Sequence, residues 1–243
     1  MLITGALTGI GRATAFAAAR ENYKVVISGR SVQTGRVLEA ELRALGAEAE
    51  FIEADVRVGS MVQALIEGTV ARFDRIDVAV NNAGTEGRPG PIVDQTRESY
   101  AATFETNVLG VLLSMKEELR VMQAQGFGNI VNISSTMGSR GAPNASLYVA
   151  SKHAVEGLTK AGALEAAAFG VRVNAIAPGP VETAMLDRFT GSQDRKAGLI
   201  ASIPLRRPGR PEEVADAILF VASDNASFVT GQIININGGR TAS

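Results

Sequence analysis

Tyr148 and Lys152 stand four residues apart in the segment S-L-Y-V-A-S-K-H, a spacing that sets both side chains on one face of a helix. A phenol of reference pKa about 10 is a poor acid or base near neutrality, and an ammonium beside it favours the phenolate. The pair therefore predicts general acid–base chemistry, with the charge of Lys152 lowering the pKa of Tyr148 and its head free to hydrogen-bond a ribose. Taken alone, the same spacing also describes ordinary helix packing. Upstream, I-V-N-I-S-S-T ends an apolar run in Ser134 and Ser135. A hydroxyl at the carboxyl end of a strand can polarise a carbonyl and stabilise a developing alkoxide.

A second constellation opens the chain. In T-G-A-L-T-G-I-G, Gly5, Gly9 and Gly11 surround Thr8 and Ile10 between an apolar run and a helical one. Glycines there permit a tight turn and let backbone N–H groups approach a pyrophosphate at the positive end of the helix. The pattern by itself reads either as a nucleotide site or as a plain glycine turn. After the second apolar run, Gly29 occupies the place where NAD-binding proteins carry an acidic residue, and Arg30 follows it. An arginine fork suits a 2′-phosphate, so NADP(H) is favoured over NAD(H), the alternative being that Arg30 is a solvated loop residue.

The elements that must position these groups alternate along the chain. Apolar β-branched runs fall at 1–4, 24–28, 49–53, 76–81, 129–133, 172–177 and 232–237; helical periodicity falls at 11–20, 35–45, 60–73, 97–125, 147–168 and 211–222. This is the pattern of repeated βαβ units, and it predicts an α/β fold: a single Rossmann-like domain over 1–243 with a doubly wound parallel sheet of about seven strands. Thr85 to Pro91 and Pro178 to Pro211 break the period and read as loops, the second forming a substrate loop, a lid over about 183–205. The opening strand is short, which leaves room for a longer native N-terminus.

Composition narrows the chemistry. The chain has 243 residues, no Cys and one His, His153, so disulfides, a thiol nucleophile and metal sites built on thiolates or imidazoles are not expected. His153 follows Lys152 on the helix and points away from the pair. With 24 Lys+Arg against 25 Asp+Glu, interspersed, no basic stripe suggests nucleic acid. No apolar run reaches the roughly 20 residues of a membrane helix, and no leader pattern opens the chain, which predicts a cytoplasmic protein with a small-molecule partner.

Along nearly its whole length the sequence resembles the short-chain dehydrogenase/reductase family. The matching elements, in order and spacing, are T-G-x3-G-I-G from Thr4, Asp55-Val56, N-N-A-G over Asn81 to Gly84, Asn107, Ser135, Y-x3-K at Tyr148, P-G at Pro178 and Gly179, and a closing T-G-Q…N-G-G. The resemblance implies that Tyr148 donates or accepts the proton, Ser135 binds the reacting oxygen, Lys152 tunes the tyrosine and Asn107 holds a relay water. Ser135, thirteen positions before Tyr148, fits the family serine better than Ser134. It further implies that Asp55 and Val56 flank adenine, that Asn82 contacts the ribose region, that Val181 with Thr183 binds the carboxamide, and that Ala83, Gly84, Pro178 and Gly179 also belong to the cofactor site.

The implied activity is NADP(H)-dependent hydride transfer between nicotinamide and a carbonyl or secondary alcohol. Met137, Ser139, Ala142, Met185 and Phe189 are expected to line the substrate pocket, and a homotetramer is expected through the two long helices and the C-terminal strand. Enoyl reductases of similar outline separate the tyrosine and lysine by six residues rather than three, which disfavours C=C reduction. The outline is also that of 3-oxoacyl-acyl-carrier-protein reductases, but the two usual basic docking positions hold Gly126 and Phe169 here. An NAD-preferring sugar or cyclic alcohol dehydrogenase and a non-catalytic NADP(H) sensor complete the alternatives.

Overall fold

Seven parallel strands form one sheet in the computed structural model, which describes residues 1–242. They are β1 (Leu2–Ile3), β2 (Val25–Gly29), β3 (Ala49–Glu53), β4 (Val78–Asn81), β5 (Gly128–Ile133), β6 (Val171–Pro178) and β7 (Ile233–Ile236), in the spatial order β3-β2-β1-β4-β5-β6-β7. Successive strand residues point to opposite faces, and both faces are apolar. Val25 and Ile27 join one core cluster and Val26 the other; Ile3 and Leu2 divide in the same way.

Helices cover both faces. Against one lie α1 (Gly9–Arg20), α2 (Val32–Ala44) and, later in the chain, a helix over Pro211–Ala222; they contribute Ala15, Leu38 and Ile218 to the first cluster. Against the other lie α3 (Gly59–Phe73) and helices over Gly110–Gln125 and Ser146–Ala166, which contribute Leu65, Met115 and Val155 to the second. Each fully buried aliphatic side chain of this kind stabilises the fold by about 1.5–3 kcal/mol.

Two expectations are corrected. The helix foreseen over 97–125 is interrupted: α4 (Arg97–Phe104) passes through a π turn at Glu105–Leu109 before α5 (Gly110–Gln125) begins. Valine and leucine flanks conceal such an insertion, because periodicity tolerates one extra residue. Beyond α6 (Ser146–Ala166), the presumed loop over 183–205 carries α7 (Ala184–Thr190) and α8 (Gln193–Ala201), before α9 (Pro211–Ala222). Thr183 Oγ1 accepts from Leu186 N–H and Ser192 Oγ from Arg195 N–H, while Gly191 closes α7 in the left-handed region at φ 68°. Those caps are helix signals, but the density of Gly and Pro around them masks the period.

A buried polar ladder ties α5 and α6 to the sheet. Asn81 Nδ2 donates to Glu118 Oε2 and to Asn132 Oδ1, each at 3.0 Å, and Asn132 Nδ2 donates to Thr159 Oγ1 at 3.0 Å. Burial pushes the Glu118 carboxyl up to about 7, against the opposing hydrogen bond from Asn81.

Candidate active site

The strand order reverses at β1, which has β2 on one side and β4 on the other. In open α/β sheets ligands bind at such a switch point, at the carboxyl ends of the strands. A cleft of about 910 Å³ opens there and runs from Arg30 and Ser31, past the glycine turn, to Thr183 and Met185. A smaller cavity of about 140 Å³ adjoins it, with Ser135, Tyr148 and Lys152 in its wall.

Gly5 turns the chain at φ +61°, where a Cβ would stand 2.7 Å from Ala83 Cα. Asn82 fixes that turn: its Nδ2 donates to the carbonyls of Thr4 at 3.0 Å and Gly5 at 2.8 Å. Gly11 is buried, and a Cβ there would reach within 2.4 Å of Asn82 Nδ2. The turn thus feeds α1 at close range. Thr8, the N-cap residue, makes no side-chain cap bond, and the first turn contains no acidic side chain. The N–H groups of Gly9 and Ile10 therefore face the cleft without side-chain partners, a donor set suited to a pyrophosphate.

At the far end, Arg30 is exposed beside Ser31 and Thr34 of the α2 N-terminus. A Cβ at Gly29 would stand 2.7 Å from Leu7 Cδ1 and Cγ, so any side chain there requires Leu7 to shift. Asp55 and Val56 line the same cleft. Arg57 grips the Asp55 carboxylate through Nε at 2.9 and 3.0 Å, and this bond holds the carboxyl below its usual range.

Around the smaller cavity, Lys152 Nζ donates to the Ile133 carbonyl at 2.8 Å and lies 5.6 Å from the Tyr148 ring centroid. Ser134 and Ser135 diverge after β5. Both line the cavity, but Ser134 Oγ donates to buried Glu156 at 2.9 Å, whereas Ser135 caps a short 3-10 turn, accepting from Met137 N–H at 3.2 Å, and stands against the Tyr148 phenol. The structure thus places Ser135, not Ser134, beside Tyr148.

The expected electrostatics of the pair are reversed. Burial pushes the Tyr148 phenol up to about 12, with Ser135 opposing the shift and the Glu86 charge adding to it. Burial also brings the Lys152 ammonium down to about 8. Desolvation is the first cause in both groups, and the ammonium donates to the Ile133 carbonyl. In this state the Tyr148 phenol is protonated near neutrality.

Asn107 lies beneath the cavity, fully buried within the π turn. Its Oδ1 accepts from Thr85 N–H at 2.8 Å, and its Nδ2 donates to Thr85 O at 2.9 Å and Ser151 Oγ at 3.0 Å. The side chain is thereby occupied in holding the loop after β4 against α6. The π turn takes a carbonyl out of the i→i−4 ladder, a backbone feature that sequence periodicity does not register.

Of the other sequence candidates, Gly5, Thr8, Gly9, Ile10, Arg30, Asp55, Val56, Asn82, Ala83, Gly84 and Thr183 line the larger cleft; Pro178, Gly179 and Val181 line the smaller cavity. Met137, Met185 and Phe189 line the cavity as foreseen, whereas Ser139 is exposed and Ala142 stands on the segment beyond it, neither in the wall. His153 is exposed, its Nδ1 against the Val149 carbonyl at 2.9 Å. Sequence reasoning missed Glu86, Leu199 and Arg240 in the wall. They come from three distant segments, and only folding brings them together.

A cleft at the switch point of a doubly wound sheet, joined to a serine–tyrosine–lysine cluster, defines a nicotinamide-dependent oxidoreductase acting on CH–OH or C=O groups. Comparison with known proteins agrees. A family model described as Enoyl-(Acyl carrier protein) reductase matches residues 5–241. The chain is 41% identical over 241 residues to cis-4-hydroxycyclohexanecarboxylate dehydrogenase of Sinomonas cyclohexanicum, covering 99% of this chain and 96% of that protein. It is 37% identical over 239 residues to a 3-oxoacyl-[acyl-carrier-protein] reductase of Staphylococcus aureus, covering 98% and 96%.

Among solved structures, levodione reductase superposes with a TM-score of 0.97 at 36% identity, over 100% of this chain and 97% of that one. An actinorhodin polyketide ketoreductase variant with NADPH gives 0.95 at 36% identity, over 100% and 97%. Xylitol dehydrogenase bound to NAD+ gives 0.94 at 34% identity, over 98% and 97%. The chain belongs to the short-chain dehydrogenase/reductase family.

Proposed function

We propose that the protein is an NADP(H)-preferring oxidoreductase that interconverts a ring-borne ketone and its secondary alcohol. The observation that carries the reading is the small cavity, where Ser135, Tyr148 and Lys152 face an apolar wall of Met137, Met185, Leu186, Phe189 and Leu199. Its volume of about 140 Å³ is close to that of an engineered cavity of about 150 Å³ that holds benzene in another protein, so a single six-membered ring fits. The names of levodione reductase and cis-4-hydroxycyclohexanecarboxylate dehydrogenase point to the same class of substrate.

In this reading the Ser135 hydroxyl donates to the substrate oxygen and the Tyr148 phenol delivers its proton as charge develops there. Bound nicotinamide supplies the hydride in reduction and accepts it in oxidation. Lys152, with N–H groups beyond the one given to Ile133, holds the ribose and passes a proton back to Tyr148. Asn107 is a positioning residue that fixes the loop after β4, and the carbonyls of its π turn are where a relay water belongs. The N–H groups of Gly9 and Ile10 with Thr8 hold the pyrophosphate, Asp55 and Val56 the adenine, Asn82 to Gly84 the ribose side, and Pro178, Gly179, Val181 and Thr183 the carboxamide. Helices α7 and α8, over 184–201, form the substrate lid.

The NADP preference is supported by exposed Arg30 at the cleft and by glycine, not an acidic residue, at position 29. The homotetramer reading is supported by exposed Leu112 on α5 and Leu164 on α6, with Phe228 before β7. No helix among the described residues is long and apolar enough to cross a membrane, which accords with a cytoplasmic enzyme. Carbon–carbon double-bond reduction is disfavoured by the Tyr148–Lys152 spacing, and acyl-carrier docking by Gly126 and Phe169. Calorimetric titration with NADPH and NADH, followed by absorbance assays on cyclic ketones, sugars and acyl thioesters, tests the reading. Tighter NADPH and turnover of ring ketones are expected; preference for acyl thioesters would overturn the substrate class.

A further inference from the structure

The substrate cavity contains a charge that the proposed reaction leaves unused. Arg240, just beyond β7, lines the cavity and is half-buried, yet its guanidinium has no hydrogen bond or ion pair among the described residues. Burial lowers the pKa of two arginines, Arg172 and Arg240. Arg172 offsets that cost with hydrogen bonds to the carbonyls of Val221, Val229 and Ser223 at 3.0–3.1 Å. Arg240 has no such compensation, and the nearby charge of Arg140, which donates to the Arg240 carbonyl, opposes its ionised form further.

Nor does the cavity supply an anion of its own. Glu86, the carboxylate in its wall, is held by Arg188 through Nε at 2.6 Å and Nη2 at 3.2 Å. A half-buried guanidinium without a counter-charge among the described residues, beside a substrate cavity, is a binding group suited to an anion.

We propose that Arg240 reads a carboxylate on the substrate, so that the preferred compound is a ring ketone or secondary alcohol bearing a carboxylic acid. The assignment rests on this cavity being the substrate site of the reaction proposed above. Arg240 closes the site from the C-terminal segment, which places substrate selection on a residue outside the proton-transfer cluster. A guanidinium–carboxylate pair in such a place contributes about 10–100-fold in affinity.

The test is a binding measurement that needs no turnover. NADP+-loaded protein is titrated calorimetrically with cyclohexanecarboxylate and with cyclohexanecarboxamide, in the wild type, Arg240→Met and Arg240→Lys. The carboxylate should bind the wild type at least about tenfold tighter than the amide, a preference lost in Arg240→Met and partly kept in Arg240→Lys. In steady state, Arg240→Met should raise KM for 4-oxocyclohexanecarboxylate by about 10–100-fold, with a much smaller effect on kcat and on KM for uncharged 4-methylcyclohexanone. Equal binding of acid and amide, absence of carboxylate binding, or an undiminished preference in Arg240→Met would overturn the proposal. An intact carboxylate preference in an enzyme that reduces no ring ketone would instead overturn the reaction assigned to the cavity and leave the anion site standing.

Discussion

Arg30→Ala removes a cation at the mouth of the nucleotide cleft and should separate the two nicotinamide cofactors. Of the four cleft arginines, Arg12 is paired with Glu41 at 2.8 Å and Arg188 with Glu86 at 2.6 Å, while Arg20, at the far end of α1, and Arg30 have no ion pair among the described residues. Arg30 follows β2 directly, is exposed, and has no ion-pair partner among the described residues. Unit charges about 4 Å apart attract by roughly 1 kcal/mol in water and roughly 4 kcal/mol near a protein surface. The exposure of Arg30 argues for the lower half of that range. A loss of about 1.5–2.5 kcal/mol corresponds to a rise of roughly 10–60-fold in the Kd for NADPH. NADH lacks the 2′-phosphate, so its Kd should change by less than about twofold. Titrations of both cofactors at low salt read the effect directly, and added salt should narrow the wild-type preference because the pair is solvent-exposed. Equal weakening of NADPH and NADH, or no weakening of either, would refute the role assigned to Arg30.

Tyr148→Phe should lower turnover by about 10²–10⁴-fold with NADPH affinity unchanged, read by steady-state assay and calorimetry together. With the phenol pushed up to about 12, it stays protonated across the neutral range, so carbonyl reduction should persist from about pH 6 to 8 while alcohol oxidation, which needs a base, climbs with pH. Parallel pH–rate profiles in the two directions would contradict that protonation state. Glu118→Gln should stabilise the fold at pH 8. The folded pKa of about 7 exceeds the ordinary 4.5, so the contribution of Glu118 is fully present below 4.5 and lost as pH rises through 7. The substitution keeps an acceptor for Asn81 and removes the buried charge, a gain of about 1–3 kcal/mol and a Tm rise of about 2–4 °C per kcal/mol at this chain length. An unchanged difference in Tm between pH 5 and pH 8 would count against it.

Several features were legible in residue order because they depend on local spacing. Alternating apolar runs and helical periods foretold about seven parallel strands with helices on both faces, and the observed sheet has seven. The glycine turn before α1 and the Tyr148–Lys152 pair on α6 are likewise short-range patterns, since a helix fixes residues four apart on one face and a strand end fixes where its hydroxyl emerges. Family resemblance carried Asn107, Asp55 and the Pro178–Thr183 segment, which no local rule singles out.

Tertiary structure decided what depends on distant segments or on the balance of burial against charge. Lys152 could be expected to lower the phenol pKa from its spacing alone, but the direction of its head toward Ile133 and the depth of the site made desolvation dominant. The engagement of Ser134 rests on Glu156, and the occupation of the Asn107 side chain rests on Thr85 and Ser151. Arg240 joined the site only through the packing of the segment after β7 against the cavity. Sequence fixes periodicity and the local geometry that follows from it; solvation, and the company a side chain keeps across more than a hundred residues of chain, exist only once the chain has folded.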